Sequence, residues 1–128
     1  MAEVQFYQDL KVWKMAMALV PKVYEIARCL PNEERFELGS QLRRAAVSIP
    51  TNIAEGRGRS HTREFLRYLA ISRGSLAELE TLLLVAHTLK FIDNPEPLLS
   101  ELVSLRRALF GLSTALSRRL SPRAFPDP

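Results

Sequence analysis

Apolar residues three and four positions apart recur through almost the whole of this 128-residue chain, and no segment shows the two-residue alternation of a strand. Phe65, Leu69, Ser72, Leu76, Leu79, Leu83 and Ala86 keep one such rhythm, and Leu98, Leu102, Leu105, Leu109, Leu112, Leu116 and Leu120 continue it as an unbroken leucine stripe. A repeat of this period puts one side of an α-helix into a core. Two earlier segments repeat the pattern: Phe6, Leu10, Trp13, Met17, Val20, Tyr24 and Ala27, then Leu38, Leu42, Ala45, Ile49 and Ile53. Four helices are therefore predicted.

Local signals place their ends. The first helix is expected at about 8–29, interrupted by Pro21, where a lost backbone hydrogen bond predicts a kink, and ended by Pro31. The second is expected at 32–57, with Asn32 as its cap, Glu33 and Glu34 in the first turn and Gly56 or Gly58 at its end. The third is expected at 61–89. The fourth is expected at 95–120, with Asn94 as cap and Pro95 in the first helical position. Ser121-Pro122 is expected to stop it and leave 121–128 as a loose tail. Helices of this length joined by short connections predict a single domain over 1–128, an all-α antiparallel up-down-up-down four-helix bundle.

Composition narrows the class. Hydrophobic residues make up 47% and charged residues 25%, which fits a soluble globular chain rather than a disordered one. The uncharged stretches inside the expected helices, Thr81 to Leu89 among them, are far below the ~20 residues of a membrane span. No apolar leader follows Met1, and the one cysteine, Cys29, fits a reducing compartment, so a cytoplasmic location with no membrane partner is expected. Cys29 itself is expected to be a small core residue.

Apolar surface exceeds what one core needs. The second helix carries a second small or apolar strip, Val47, Pro50 and Ala54 with Ala46 nearby, and Leu66, Ala70, Leu82, Val85, Leu99, Val103 and Phe110 add to the excess elsewhere. A broad core and self-association into a homo-oligomer both account for it.

Only the third face of the second helix is polar: Gln41, Arg44, Ser48, Asn52 and Glu55 at spacings of three and four. The third helix offers a matching set, Arg67, Gly74, Ser75, Glu78 and Thr81, in which Gly74 would let another helix approach. Arg44 is expected to pair with Glu55 or Glu78, and Ser48 or Asn52 to relieve Pro50. A hydrogen-bond network fixing helix register or assembly and a functional surface both fit this line of residues.

Charge is uneven. Seven arginines face two glutamates between Arg43 and Arg73, and five arginines meet no acid between Leu102 and Pro126, within a net charge of +4. Such clustering suits an anionic partner and equally a solvated basic face. Gly56-Arg57-Gly58-Arg59-Ser60 lacks the lysine and the preceding strand of a phosphate-binding loop, so it reads as a helix stop, one that could still hold an anion against the amides opening the next helix. His61, His87 and Cys29 stand at no metal-ligand spacing, and no nucleophile elbow occurs. No enzyme, cofactor or metal site is expected.

One block is more specific than any of these patterns. Phe6, Leu10-Lys11-Val12-Trp13, Leu30-Pro31 and Glu34 lead to Gln41-Leu42-Arg43-Arg44-Ala45-Ala46, then Ser48-Ile49-Pro50, Asn52-Ile53-Ala54-Glu55-Gly56 and Arg59. Phe65, Leu69, Gly74-Ser75-Leu76, Glu78-Leu79 and Thr81 complete it. Over about residues 6–90 the chain resembles the four-helix-bundle proteins known as 23S rRNA intervening-sequence proteins. Pro21 departs from the family's usual first helix. The resemblance implies antiparallel bundles assembled as homopentamers around a basic channel, with no enzymatic activity. It extends to the accessory protein of diversity-generating retroelements, which works with a reverse transcriptase and binds nucleic acid. The expected function is therefore that of a non-enzymatic oligomer contacting RNA, DNA or a nucleic-acid-associated protein. Contacts to phosphates are expected through Arg43, Arg57, Arg59, Arg63 and Arg67. The competing reading is a scaffold that binds only protein.

Overall fold

A computed structural model of the protein describes residues 7–124. After a 3₁₀ turn at Tyr7–Asp9 come α1 (Lys11–Arg28), a second 3₁₀ turn at Asn32–Glu34, α2 (Leu38–Arg57), α3 (Thr62–Thr88) and α4 (Glu96–Ala124). The described residues hold no strand.

All four helices share one core. Leu42, Ile49 and Ile53 of α2, Leu69, Leu79 and Leu83 of α3, and Leu102, Leu105 and Leu109 of α4 are completely buried. Val12, Ala16, Leu19 and Val23 of α1 close the core from the fourth side. Each such leucine or isoleucine contributes about 1.5–3 kcal/mol by leaving water, so these positions dominate stability. The apolar stripes read for α2 and α3 are the buried faces of those helices.

The stripe read for α1 is so only in part: Ala27 is buried, and Leu10 and Trp13 pack against the core from its edge. Its core face is Val12, Ala16, Leu19, Val23 and Ala27, whereas Trp13, Val20 and Tyr24 are only half-buried and Met17 is 42% exposed. The two stripes lie next to each other on the helix, and the bulkier one sits at the edge of the core, with Met17 turned outward. Small Ala16 at the core face suits close approach of α1 to its neighbours. Phe6, assigned to the same stripe, lies outside the described residues.

Three expected boundaries move. Asn32, Glu33 and Glu34 form only a 3₁₀ turn, and α2 begins six residues later than its apparent cap. The Glu37 amide donates to the Glu34 carbonyl, and the Leu38 amide reaches Glu34 Oε1 at 3.4 Å, so the acid helps to start α2 from outside it. The first α-helix opens at Lys11 rather than Gln8, after the first 3₁₀ turn. At the far end α4 runs through Pro122 to Ala124, so residues 121–124 of the expected tail are helical, and 125–128 lie outside the described residues. Pro21 and Pro50 likewise sit inside continuous helices. A proline withdraws one amide from the ladder, and surrounding packing holds the remaining bonds. Around buried Pro50, Asn52 Nδ2 donates to the Ser48 carbonyl at 2.9 Å and Thr51 Oγ1 to the Val47 carbonyl at 2.7 Å. Asn94 caps α4 as expected: its Oδ1 accepts from the Glu96 amide at 3.1 Å.

Cross-helix bonds record how neighbours pass each other. Ser48 meets Ser75, the Ile49 carbonyl meets Ser72, and Glu55 meets Tyr68, so partner numbers in α3 fall as those in α2 rise. Between α3 and α4 the pairs are Arg73 with Ser113 and Glu80 with Arg106. Lys22 of α1 binds Glu101 of α4 at 2.7 Å.

Gly56 permits the closest of these approaches. A Cβ placed there would stand 2.5 Å from the Tyr68 Cβ, far inside the contact distance of non-bonded carbons. Gly74, the position expected to admit a neighbour, has open space, with nothing within 4 Å of a Cβ. Cys29 is also displaced from its expected place: it caps the end of α1 and is exposed.

Candidate functional site

The polar line of α2 divides into three parts. Ser48 and Asn52 turn toward α3. Ser48 Oγ lies 2.7 Å from Ser75 Oγ, and Asn52 Nδ2 donates to Ser48 Oγ at 3.0 Å. Ser72, fully buried, donates to the Ile49 carbonyl at 3.0 Å. Each hydroxyl in this seam thus has a partner, which is what its burial requires. Gln41, Arg44 and Glu78 are instead exposed and line a shallow surface hollow beside Ser48. Arg44 forms no ion pair with either expected acid; Glu55 is occupied by Arg59 at 3.0 Å, a reach of one helical turn that Arg44 cannot match.

Glu55 belongs to a different cluster, centred on a residue the periodicity does not single out. Tyr68 is buried, and Arg59 Nη2 donates to its hydroxyl at 2.8 Å. That hydroxyl lies 3.3 Å from Glu55 Oε2. The Arg59 and Arg67 guanidinium carbons sit 5.1 and 4.7 Å from the Tyr68 ring centroid, within cation–π range. Arg67 also meets Glu64 at 3.3 Å. The bond to Glu55, and next the charge of Tyr68, hold the Arg59 pKa above its ordinary value; Glu64 does the same for Arg67. Both guanidiniums thus stay charged throughout the ordinary pH range. Only the fold could reveal this cluster, because Tyr68 meets Arg59 and Glu55 across the α2–α3 connection that Gly56 brings together.

The five arginines proposed from the sequence do not form one surface. Arg43 Nη2 donates to the Arg35 carbonyl at 3.1 Å near the start of α2, fourteen residues and about 21 Å along the axis from Arg57. Arg57, Arg59, Arg63 and Arg67 surround the α2–α3 connection. A cavity of about 350 Å³ opens there. Its floor is apolar, from Leu10, Phe65, Leu112 and Leu116, and its rim carries Arg57, Arg59 and, from α4, Arg119. Ser60, His61 and Thr62 complete the wall where α3 begins. No side chain caps α3, so its first amides face this region without a side-chain acceptor. Sequence reasoning counted Arg119 in a basic segment without linking it to this turn, some sixty residues away.

Among the described residues no three His, Cys, Asp or Glu side chains gather as metal ligands, and no helix is long and apolar enough to cross a membrane. Apolar side chains also remain outside the core. Met17, Val47, Leu84 and Phe110 are 42, 39, 48 and 67% exposed. Trp13, Met17, Val20, Val47 and Pro50 line an outer groove between α1 and α2.

Four long helices on one core, with a cluster of polar side chains at the α2–α3 connection, define a small all-α protein. The chain belongs to the 23S rRNA-intervening sequence protein family, whose family model matches residues 8–111. The match takes in the α2–α3 connection and stops short of Arg119. No curated protein matches the sequence significantly.

Proposed function

We propose that this is a non-enzymatic nucleic-acid-binding protein, an up-down-up-down four-helix bundle that acts as a cytoplasmic homo-oligomer. The observation that carries the binding reading is the convergence of Arg57, Arg59 and Arg119 on one end cavity, with Arg63 and Arg67 exposed on the adjoining first turns of α3. Guanidinium groups bind phosphate oxygens with little regard to base sequence, so affinity should fall steeply with salt. The family's name associates it with intervening sequences of 23S rRNA, which makes RNA the first ligand to test. Arg43 contributes to a separate basic patch. The seam of Ser48, Asn52 and Ser75 sets helix register, while Gln41, Arg44 and Glu78 remain available to a neighbouring subunit.

Fluorescence anisotropy with labelled RNA and DNA across a salt series tests this reading. For four single-strand phosphate contacts the logarithmic salt slope should be about −3. Absence of binding at low salt would overturn it and favour the protein-only scaffold. The exposed apolar groove between α1 and α2 supports self-association, with a pentamer as the expected assembly. Light scattering that returned a 14.5 kDa monomer at micromolar concentration would refute this part.

A further inference from the structure

We infer that the cavity at the α2–α3 connection holds a single nucleoside phosphomonoester: the phosphorylated end of a strand, or a free mononucleotide. The inference rests on the nucleic-acid reading above and assigns the cavity its own ligand.

The argument begins with shape. A strand running past the arginines needs only a convex basic surface, yet the cationic groups here rim a hollow of about 350 Å³, at the small end of the range for small-molecule sites. The lining then separates into two chemistries. Leu10, Phe65, Leu112 and Leu116 offer an apolar floor on which the face of a base leaves water. Arg57 of α2, Arg59 of the α2–α3 connection and Arg119 of α4 reach the rim, and no carboxylate among the described residues lines the cavity. Glu55 lies outside the lining but pairs with Arg59 at 3.0 Å, so Arg57 and Arg119 supply the rim charge that no described carboxylate in the lining offsets. A terminal phosphate, with nearly two negative charges near neutral pH, gains more from several converging cations than an internal diester with one. Apolar floor and cationic rim side by side match a ligand that is itself half base and half phosphate. An inorganic anion would leave the floor unused.

The test compares one short RNA in three forms: 5′-phosphorylated, 3′-phosphorylated and hydroxyl-ended. Free uridine monophosphate and inorganic phosphate serve as competitors. A phosphorylated end should bind about tenfold tighter than the hydroxyl-ended strand. Arg119→Ala, or Ser60→Glu, which sets a carboxylate on the wall, should reduce that preference to about twofold or less. Both positions are exposed, and an unchanged circular dichroism spectrum verifies folding. If all three strands bind equally and salt-dependently, the cavity inference is overturned while the phosphate-backbone reading stands. If uridine monophosphate binds and shifts the Phe65 ring resonances but no strand binds, the cavity inference stands and the strand reading falls. Competition by inorganic phosphate as strong as that by uridine monophosphate would overturn the role of the apolar floor.

Discussion

The two ends of the molecule are closed by different chemistry. Where α3 hands over to α4, the backbone caps itself: the Phe91 amide donates to the Ala86 carbonyl and the Lys90 amide to the His87 carbonyl, both at 2.9 Å. This is the Schellman arrangement, with Lys90 at φ 65° in the left-handed region and half-buried Phe91 packed on the core. The hollow nearby is lined by Glu25 and Asp93 together with apolar Ile26, Phe91 and Ile92. Where α2 hands over to α3, no such cap forms. Gly58 ends α2 in an ordinary right-handed conformation, its amide bonded to the Ala54 and Glu55 carbonyls and that of Arg59 to Gly56, and side chains add to this closure, with Tyr68 held between Arg59 and Arg67. One end spends its hydrogen-bonding groups internally. The other leaves the first amides of α3 without a side-chain cap and sets exposed arginines around them, and it is the end to which the ligand is assigned above.

The sharpest way to break the contrast is at Gly56. Gly56→Ala would set a methyl 2.5 Å from the Tyr68 Cβ, so α2 and α3 must separate at the cationic end. Overpacking of this kind costs about 2–3 kcal/mol and should scatter the arginines as well. Denaturant unfolding and RNA binding should both suffer. A loss below about 0.5 kcal/mol would show that the seam yields freely and that Gly56 does not hold the site together.

Next in size is a pair of charge reversals, one at each end. Arg63→Glu should weaken RNA binding about tenfold, equivalent to about 1.4 kcal/mol, while Arg35→Glu at the opposite end should leave it nearly unchanged. Both residues are exposed, so stability should change by less than about 0.5 kcal/mol in either variant. Equal losses would mean that diffuse positive charge, rather than one end, attracts the ligand. Because Arg59 and Arg67 are held above their ordinary pKa, their charge is present at every pH below it and is lost only as pH rises through it. Their contribution to binding should therefore be flat from about pH 5 to 9.

What the sequence disclosed differs between the same two regions. Helices α2 and α3 carry one clean apolar stripe each, and both stripes are the core faces. In α1 two adjacent stripes compete, and residue size favours the wrong one: Trp13 and Met17 look more like core than Val12 and Ala16. Only the neighbours that close on Ala16 decide between them. The cap of α4 was legible because Asn94 and Glu96 stand only two positions apart in sequence. The α2 start was not, since Asn32 to Glu34 carry the local signature of a helix start yet the chain first makes a turn through Arg35, Phe36 and Glu37. The arginines of the α2–α3 turn could be counted from the sequence. Their division into Arg43 on one side and the cavity group on the other could not, and neither could the arrival of Arg119 or the central place of Tyr68. Those depend on which helix ends meet.

Tyr68→Phe sharpens the comparison more gently. It keeps the ring between the two guanidiniums and removes the hydroxyl that links Arg59 to Glu55. Losing these partly buried bonds should reduce stability by about 1 kcal/mol. Binding should fall about two- to threefold, because Arg59 loses its anchor but not its charge. A double-mutant cycle with Arg59→Ala should show the two residues coupled by at least about 0.5 kcal/mol, and additive effects would mean that the hydroxyl does not position the arginine.

The smallest effect belongs to the opposite end. Lys90 holds a left-handed conformation in which its Cβ crowds the backbone, a strain that glycine does not carry. Lys90→Gly should therefore stabilise the protein, by about 0.5–1 kcal/mol after allowing for the greater freedom of glycine in the unfolded chain. Lys90→Ala provides the control: it removes the same charge yet keeps the Cβ, so it should give no comparable gain. RNA affinity should be unaltered in both variants if binding belongs to the opposite end, as proposed. A gain common to both substitutions would trace to charge rather than to backbone strain. A change in affinity with either would mean that the capped end reaches the ligand, and the division of labour between the two ends would no longer hold.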